Sequence, residues 1–242
     1  MALHATKGIV LRAIKYGETS LVVTIYTALF GLQSYLINGV RTEKKTSTKA
    51  NMYQPTTQLE LIVYHHPNKN LQRIKEAKLL LTKNFHGVDV IRYAIGIYMV
   101  ELIQKAITET EANTALYDFF EDHFMHVLEA PTHQLSNFPI LFTLLFAEQL
   151  GFGIQQNYSE QTPIFELQNG CFISRNEMVT GYTASEENSL MIFNMMSGQP
   201  LSQHISGLIR LEILTICIQY LRLHMPHLGE LKSVSVLHEI LN

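Results

Sequence analysis

Positively charged and aromatic side chains are concentrated in the first third of this 242-residue sequence. Residues 1–80 contain eleven Lys and Arg against four Asp and Glu, a net charge of +7, together with six Tyr and Phe. Cations neutralise phosphates, and aromatic rings offer faces on which unpaired bases stack. Residues 81–242 have seven cations against 17 acids, a net charge of −10. This asymmetry predicts a polyanion-binding module joined to a part that does not bind polyanions.

The strongest candidates for phosphate contacts lie in or beside a polar stretch, 42–51, that has no apolar periodicity. They are Arg41, Lys44, Lys45 and Lys49. Turn-forming or polar residues flank Tyr16 and Tyr53, so we expect both rings at the surface, where bases can stack on them. The remaining candidate cations are Lys7, Arg12, Arg73 and Lys75. If roughly four to six phosphates are neutralised, log K for a single strand should fall with log salt at a slope of about −3 to −4.

Motifs for enzymatic chemistry are missing. Gly151-Phe152-Gly153 lacks the third glycine of a dinucleotide fingerprint, and neither Gly-Lys-Ser/Thr nor Gly-x-Ser-x-Gly occurs in the sequence. His123 and His126 lie three residues apart beside Glu121 and Asp122, which leaves a metal-dependent hydrolase open. Two histidines supply only half of a tetrahedral site, so a solvated histidine pair on a helix is favoured. We predict no catalytic residue.

Five segments of the N-terminal part have the composition of short β-strands. β-branched and aromatic residues dominate these segments, and Gly or Pro residues punctuate them. The predicted strands cover 8–14, 20–27, 32–40, 58–65 and 71–78. Five strands within about 80 residues are typical of an OB-fold barrel.

After residue 81, apolar residues recur at spacings of three and four, which indicates helices. The predicted helices cover 88–107, 114–129, 139–150, 185–196, 206–225 and 233–241. Residues 155–184 lose this periodicity, so we predict a small irregular or hairpin insertion there. The expected architecture is α+β and multidomain, with an OB-fold domain over 1–80 followed by an all-α domain over 81–242.

Cysteine usage and hydropathy bear on the compartment. Cys171 and Cys217 are the only cysteines, so a disulfide framework is not expected. The sequence opens with no signal-peptide pattern. Its longest apolar stretches, such as 209–223, are interrupted by charged side chains before reaching the ~20 residues that span a bilayer. We therefore expect a cytoplasmic protein without a membrane partner.

Several short strings resemble a known family. Those similar to the start of bacterial RecO proteins are Gly8-Ile9-Val10-Leu11-Arg12, Tyr16-Gly17-Glu18-Thr19-Ser20 and Gly39-Val40-Arg41. The end of that family's barrel is resembled by Leu71-Gln72-Arg73-Ile74-Lys75-Glu76, and its closing segment by Tyr220-Leu221-Arg222-Leu223-His224. The resemblance covers both ends of the chain and the two-domain plan.

The resemblance implies a mediator of DNA repair and homologous recombination that is not an enzyme. RecO proteins bind single- and double-stranded DNA, anneal complementary strands and, with RecR, help load recombinase onto strands coated with single-strand-binding protein. A nucleoid-associated location in the cytoplasm would follow. The single-strand-binding protein presents an acidic, apolar tail, which a groove edged by cations would bind. The candidates for this contact are Arg92, Arg210 and Arg222.

The family's zinc site is not expected in this chain. Many RecO proteins have four cysteines in the segment that corresponds to 155–184. Here Cys171 is the only cysteine of that segment. Where paired cysteines are expected, the sequence has Tyr158, Thr162 and Pro163. We predict a protein without a cofactor, with a metal-free hairpin held by the packing of Phe165, Phe172 and Ile173.

Another class of function remains open. The charge asymmetry is also compatible with an interaction adaptor whose barrel docks a protein partner, while DNA binding is weak or lost. Binding through phosphates depends strongly on salt, whereas an adaptor predicts a flat salt response with DNA. A salt titration with single-stranded DNA therefore separates the two.

Overall fold

A computed structural model of the chain describes residues 2–40, 48–80, 85, 89–177, 181–198 and 205–241. The chain divides into two compact units, Met1–Ala130 and Pro131–Asn242. The described strands are β1 Leu3–Tyr16, β2 Ser20–Thr27, β3 Gly31–Ile37, β4 Gln58–Tyr64, β5 Leu71–Leu79, β6 Ile164–Glu166 and β7 Cys171–Ile173. The described α-helices are α1 Thr48–Asn51, α2 Val90–Ala106, α3 Thr114–Glu129, α4 Phe138–Gln149, α5 Glu186–Met196, α6 Gly207–His224 and α7 Ser233–Leu241.

The first unit contains a closed five-stranded barrel with the strand order β1-β2-β3-β5-β4. Neighbouring strands are antiparallel except β3 and β5, which pair in parallel over 34–36 and 71–73. Alternate strand positions fill the core with aliphatic side chains and the ring of Tyr35, because successive side chains of a strand point to opposite faces. The OB-fold barrel and the helical region after it, both predicted from the sequence, are confirmed.

Strand β1 is long enough to serve two neighbours. Residues 3–9 pair with β4, and residues 8–16 pair with β2. The register with β2 shifts between Val10 and Arg12, so Leu11 is the additional residue of a β-bulge. Val10 and Ala13 both pack against the barrel core. Up to Val10, the even-numbered residues of β1 therefore point into the barrel; after the bulge, the odd-numbered residues do.

Helices α2 and α3 belong to the same compact unit as the barrel. Asp89 and Asn113 cap their N-termini, since each side chain accepts a hydrogen bond from a backbone N–H of the first turn. Helix α2 packs against α3 and β1. The boundary predicted at residue 80 stays a prediction, while the unit that contains the barrel extends to Ala130.

Two close contacts seat the helix pair on the barrel. The ring of Phe120 in α3 meets the ring of Tyr26 in β2 edge to face, with centroids 5.3 Å apart. Gly31, at the start of β3, has a positive φ of 58°. A Cβ at this position would overlap the backbone carbonyl of Glu111, in the connection between α2 and α3. The turn between β2 and β3 and the connection between the helices are therefore in direct backbone contact.

The second unit is organised around helix α6, which packs against α4 and α7. Arg210 of α6 is buried, and its guanidinium donates hydrogen bonds to three different segments. The acceptors are Asn137 Oδ1 at 3.0 Å, Leu241 O at 2.7 Å and Ile205 O at 3.1 Å. These bonds compensate the burial of the charge and connect α6 to the start of α4 and to the end of α7.

Strands β6 and β7 form a hairpin within 155–184. Phe165 and Phe172 are buried on its inner side, and Ile173 is partly exposed. The aromatic rings around them are Tyr158, Phe193 and Tyr220. This aromatic packing holds the hairpin against the helices of the unit. None of the described helices combines the length and the apolar character needed to cross a bilayer.

Candidate nucleic-acid interface

One outward surface of the barrel combines cationic and apolar side chains in register. We call it the β1–β3 face; it is formed by β1, β2, β3 and the start of β5. Strand pairing aligns its side chains in two rows across four strands. The first row is Arg12, Thr24, Ser34 and Leu71, and the second is Ile14, Val22, Leu36 and Arg73. The corresponding strands of OB-folds bind oligonucleotides.

The bulge at Leu11 places Arg12 on this face. Without the additional residue, the alternation that turns Val10 inward would also turn Arg12 toward the core. The backbone of Val10 donates to Thr57 O and accepts from Thr56 N, both at 2.8 Å, which holds the strand where the pairing with β2 shifts. The outward direction of Arg12 therefore results from a local change of register.

A cleft of about 580 Å³ adjoins the β1–β3 face where β3 and β5 diverge. Parallel pairing ends at Leu36 and Arg73, so the residues that follow form opposite walls. Its cations are Arg73, Lys75 and Lys78, and Glu76 is the acid among its described lining residues. Val40 and Met52 also line the cleft. The chain between them includes Arg41, Lys44 and Lys45, which lie outside the described residues.

The turn between β1 and β2 lies at the same end of the barrel as this cleft. The backbone N–H of Val40 donates to Thr19 O at 3.0 Å, which joins the turn to the end of the β3 segment. Tyr16, at the start of the turn, is 57% exposed. Its ring therefore reaches the surface, where the sequence places it.

Five exposed cations of the barrel strands have no ion-pair partner among the described residues. They are Arg12, Lys15, Arg73, Lys75 and Lys78. The ion pairs of the described chain involve other cations, namely Lys7, Arg92, Lys105 and Arg175. The five charges therefore produce positive potential around the β1–β3 face and its cleft, which attracts phosphates.

Lys7 lies elsewhere, on the half of β1 that pairs with β4. Its cross-strand neighbour is Glu60, and its Nζ forms an ion pair with Glu121 of α3 at 2.9 Å. Lys7 therefore lies apart from the cations of the β1–β3 face, and its contact with DNA stays a prediction. An acidic helix neutralises this lysine, and no strand-level pattern reports a partner 114 residues away.

Tyr53 is not at the surface. Its side chain is 6% exposed and belongs to the barrel core. The backbone N–H of Tyr53 donates to Ala50 O in a turn after α1, and this turn directs the ring inward. Burial raises the pKa of the phenol. The prediction of an exposed ring is wrong because polar neighbours in sequence do not determine which way a tight turn points a side chain. Lys49 lies in α1, and its side chain is outside the described part.

Of the three arginines predicted to bind a protein partner, two are used inside the chain. Arg92 donates to the backbone oxygens of Val127 and Ala130 at the end of α3 and pairs with Asp89. Arg210 has the three internal acceptors described above. Helix ends and buried carbonyls required these guanidinium groups, a need that the sequence does not reveal. Only Arg222 of the three is exposed.

Arg222 lines a second cleft, of about 800 Å³, in the second unit. The apolar side chains of this cleft include Ile218, Leu231 and Val234, and Lys232 is its other described cation. The Nε of Arg222 donates to Gly229 O at 2.8 Å, which orients the guanidinium at the rim. The cleft also contains one acid, Glu230. An apolar floor whose two cations outnumber this acid fits an acidic peptide that has apolar side chains.

The histidines of α3 do not assemble with other ligands in the described residues. His123 Nδ1 lies 2.7 Å from Phe119 O, and its ring packs on the Phe119 ring. Burial lowers the pKa of His123. Within the described chain, no three His, Cys, Asp or Glu side chains are arranged to hold a metal ion.

The sequence reasoning missed four residues of these two surfaces. Ile14 and Leu36 lie between the cations of the β1–β3 face, and Lys78 and Lys232 line the two clefts. Alternation along 71–79 did not indicate Lys78, because a register shift beside Lys75 changes the inward side of β5 between Ile74 and Ala77. The apolar residues carried no signal, since a strand needs such side chains on its buried face as well.

Most of the chain matches one protein family. The model of the family described as "Recombination protein O N terminal" matches residues 1–82, and "Recombination protein O C terminal" matches residues 88–233. A "DNA repair protein RecO" of Christiangramia forsetii is 31% identical over 245 residues, covering 99% of each chain. Proteins of the same name from Phocaeicola vulgatus and Flavobacterium psychrophilum are 31% and 32% identical, over 98% and 97% of this chain and 99% and 98% of theirs.

The two family models meet at the end of the barrel, between residues 82 and 88. Both the closed barrel and the helices after it agree with this division. From the matched length and the fold together, the chain belongs to the RecO family of DNA repair proteins.

Proposed function

We propose that this protein is a recombination mediator without enzymatic activity, which binds single- and double-stranded DNA through its barrel and anneals complementary strands. With RecR it would help load recombinase onto DNA coated with single-strand-binding protein, in the cytoplasm at the nucleoid. The observation that carries the proposal is the β1–β3 face with its adjoining cleft, where Arg12, Arg73 and Lys75 lie exposed without ion-pair partners among the described residues.

Annealing of this kind requires no bond chemistry from the protein. Phosphate repulsion opposes the approach of two strands, and cations that neutralise phosphates reduce it. One face that retains two strands also raises their local concentration. The cleft beside the face is lined by Arg73 and two further cations, Lys75 and Lys78, with one acid, Glu76. Val40 also lines this cleft, and the segment with Arg41, Lys44 and Lys45 begins after it.

A titration with single-stranded DNA at several salt concentrations tests the proposal. In one variant Arg12, Arg73 and Lys75 are changed to Ala, and in another Arg41, Lys44, Lys45 and Lys49 are changed to Ala. Each lost phosphate contact should reduce the slope of log K against log salt by about 0.7. We expect the first variant to lose about two units of slope and to bind at least tenfold more weakly at moderate salt.

Lys7→Ala is the matched control, because Lys7 is an exposed strand cation whose charge is paired with Glu121. Its DNA affinity should stay within about twofold of the wild type. The adaptor function would be favoured instead if the affinity of the wild type for DNA did not change with salt and if the triple and quadruple Ala variants bound DNA as the wild type does. Loss of binding in the Lys7→Ala variant equal to that of the face variant would contradict the assignment of the face.

The cleft at Arg222 is the proposed docking site for the tail of single-strand-binding protein. Its two cations, Arg222 and Lys232, match the acidic residues of such a tail, and its apolar floor matches the apolar ones. Changing both cations to Ala should weaken binding of an acidic C-terminal peptide at least tenfold in fluorescence anisotropy. Arg175→Ala is the control, since Arg175 is an exposed cation of the same unit that pairs with Glu186. Equal weakening by the control would contradict the site.

We also propose that the β6–β7 hairpin folds without zinc. The residues do not fit a four-cysteine site, because Cys171 is the one cysteine between 155 and 184. Phe165 and Phe172 fill the interior of the hairpin. A strong chelator should leave the melting temperature unchanged. A drop of several degrees on chelation, reversed by zinc, would contradict this proposal.

A further inference from the structure

An apolar row crosses the cationic β1–β3 face; it is exposed on β1 and partly exposed at Val22 and Leu36. Ile14 of β1 is directly opposite Val22 of β2, which is opposite Leu36 of β3. Ile14 is 43% exposed, and Tyr16, two residues further along the same strand, is 57% exposed. We call Ile14, Tyr16, Val22 and Leu36 the apolar row.

The pairing determines the dimensions of this surface. Adjacent strands lie about 4.8 Å apart, so the row extends about 10 Å from β1 to β3. Arg73 continues it on β5, opposite Leu36, and Arg12 lies one pleat away from Ile14 on β1. Cations therefore lie at the end of the row and along one of its sides.

Single exposed apolar side chains are common on protein surfaces, but a contiguous set is not. Here Ile14 and Tyr16 are neighbours on one strand, and Val22 and Leu36 continue the surface across the pairing. Their companions on the face are basic or uncharged: Arg12, Thr24, Ser34, Leu71 and Arg73. The occupant must therefore be anionic and must also present apolar area.

Unpaired nucleic acid has this combination of properties. The faces of unpaired bases are apolar and accessible, and phosphates lie beside them. In a duplex the bases are stacked inside, and only phosphates and groove edges are accessible. An apolar row between cations therefore complements a single strand better than a duplex, whereas the cations complement both.

We infer that the apolar row binds unpaired bases and gives the face its preference for single strands, while Arg12 and Arg73 contact phosphates of either form. This inference rests on the proposed function, since it assigns a base-binding surface within the same DNA-binding face. Ile14 is the β1 end of the row and lies between Tyr16 and Arg12 along the strand.

Ile14→Thr tests the inference, because threonine keeps the β-branched shape that strands favour and removes apolar area. We expect about fivefold weaker binding of oligo(dT), less than twofold weaker binding of a duplex of equal length, and an unchanged salt slope. Ile14→Tyr adds a ring on which bases stack, and should bind oligo(dT) more tightly with no change for the duplex.

Leu29→Thr is the matched control, since Leu29 is 49% exposed on the same barrel but lies in the turn between β2 and β3, away from the row. Its affinities for both ligands should equal those of the wild type. Melting temperatures of all variants, measured beside the titrations, separate loss of binding from loss of fold.

The outcomes separate this inference from the proposed function. If the wild type binds oligo(dT) with a steep salt slope but Ile14→Thr binds both ligands like the wild type, the inference is overturned and the proposed function stands. Equal weakening for oligo(dT) and duplex would also overturn it, because the row would then not read unpaired bases. If the wild type binds neither ligand, both fail.

Discussion

The two halves of strand β1 carry similar outward side chains but have different surroundings. Before the bulge, Lys7 faces outward beside Glu60 and is paired with Glu121 of helix α3. After the bulge, Arg12 faces outward beside Thr24, and no described acid pairs with it. Helix α3 therefore places an acid beside the first half of the strand, whereas no described acid pairs with the second half.

This difference shows why a net charge over 80 residues does not describe a surface. The strands contribute cations to several sides of the barrel, and helix α3 contributes an acid, Glu121, to one of those sides. The side without acids retains a positive potential, so a face for polyanions results from where the acids are placed as much as from where the cations are. The apolar row lies on that same open side.

The largest effect is expected from disrupting the contact between the barrel and the connection of α2 and α3, because this contact holds the helices beside the first half of β1. In Gly31→Ala, a Cβ would overlap the backbone of Glu111 and would also occupy a positive φ of 58°. We expect the free energy of unfolding in urea to fall by about 3 kcal/mol or more.

Gly17→Ala is its control, because Gly17 has a φ of 59° and no atom close enough to contact a Cβ. Its free energy of unfolding should fall by only about 1 kcal/mol, because alanine is disfavoured at a positive φ. Equal losses in the two variants would show that the contact with Glu111 contributes nothing beyond backbone strain.

Removing the charge that pairs with Lys7 should give the first half of β1 an unpaired cation, as the second half already has. Glu121→Gln removes the partner of Lys7, so the salt slope for single-stranded DNA should steepen by up to about 0.7 and binding should tighten about twofold. The free energy of unfolding should fall by less than about 1 kcal/mol, because the side chain of Lys7 is 48% exposed.

The control for this variant is Asp118→Asn, which removes an equal charge from an exposed position of the same helix. It should leave the salt slope closer to the wild-type value. If both variants steepen the slope equally, the overall charge of α3 acts on DNA rather than the specific pair with Lys7.

The smallest expected effect is on the pH dependence of stability and comes from His65, whose ring lies near His4 at the start of β1. His65 stacks on Phe30 with ring centroids 3.9 Å apart, and His4 lies beside both rings. Burial, with His4 and His66 nearby, lowers the pKa of His65. The unfolded chain then takes up a proton more readily than the folded one, so stability declines as pH falls below about 6.5.

His65→Gln removes this contribution and should make the decline of melting temperature between about pH 7 and about pH 5 shallower. The effect should be small because one partly exposed group is involved. His133→Gln, at an exposed position of the second unit, should leave the decline as in the wild type. A steeper decline in His65→Gln would contradict the lowered pKa.

Local patterns predicted the elements well and their surroundings poorly. The β-branched run at 20–27 matches β2, and the punctuation by Pro67 matches the end of β4 before it. Tyr16 is exposed as predicted, but Tyr53 is buried, although polar residues flank both. Arg92 and Arg210 looked like surface cations, yet each satisfies backbone oxygens inside its own unit.

The sequence by itself determined which segments become strands and helices, and on which part of the chain the cations are concentrated. Strand alternation and helix caps act between residues that are near in sequence, so a reader of the sequence can recognise them. The tertiary structure alone decided that Arg12 is open while Lys7 is paired. That outcome depends on the bulge at Leu11 and on Glu121, 114 residues from Lys7. Strand register and side-chain pairing across such separations depend on how the whole unit packs, and no local pattern encodes them.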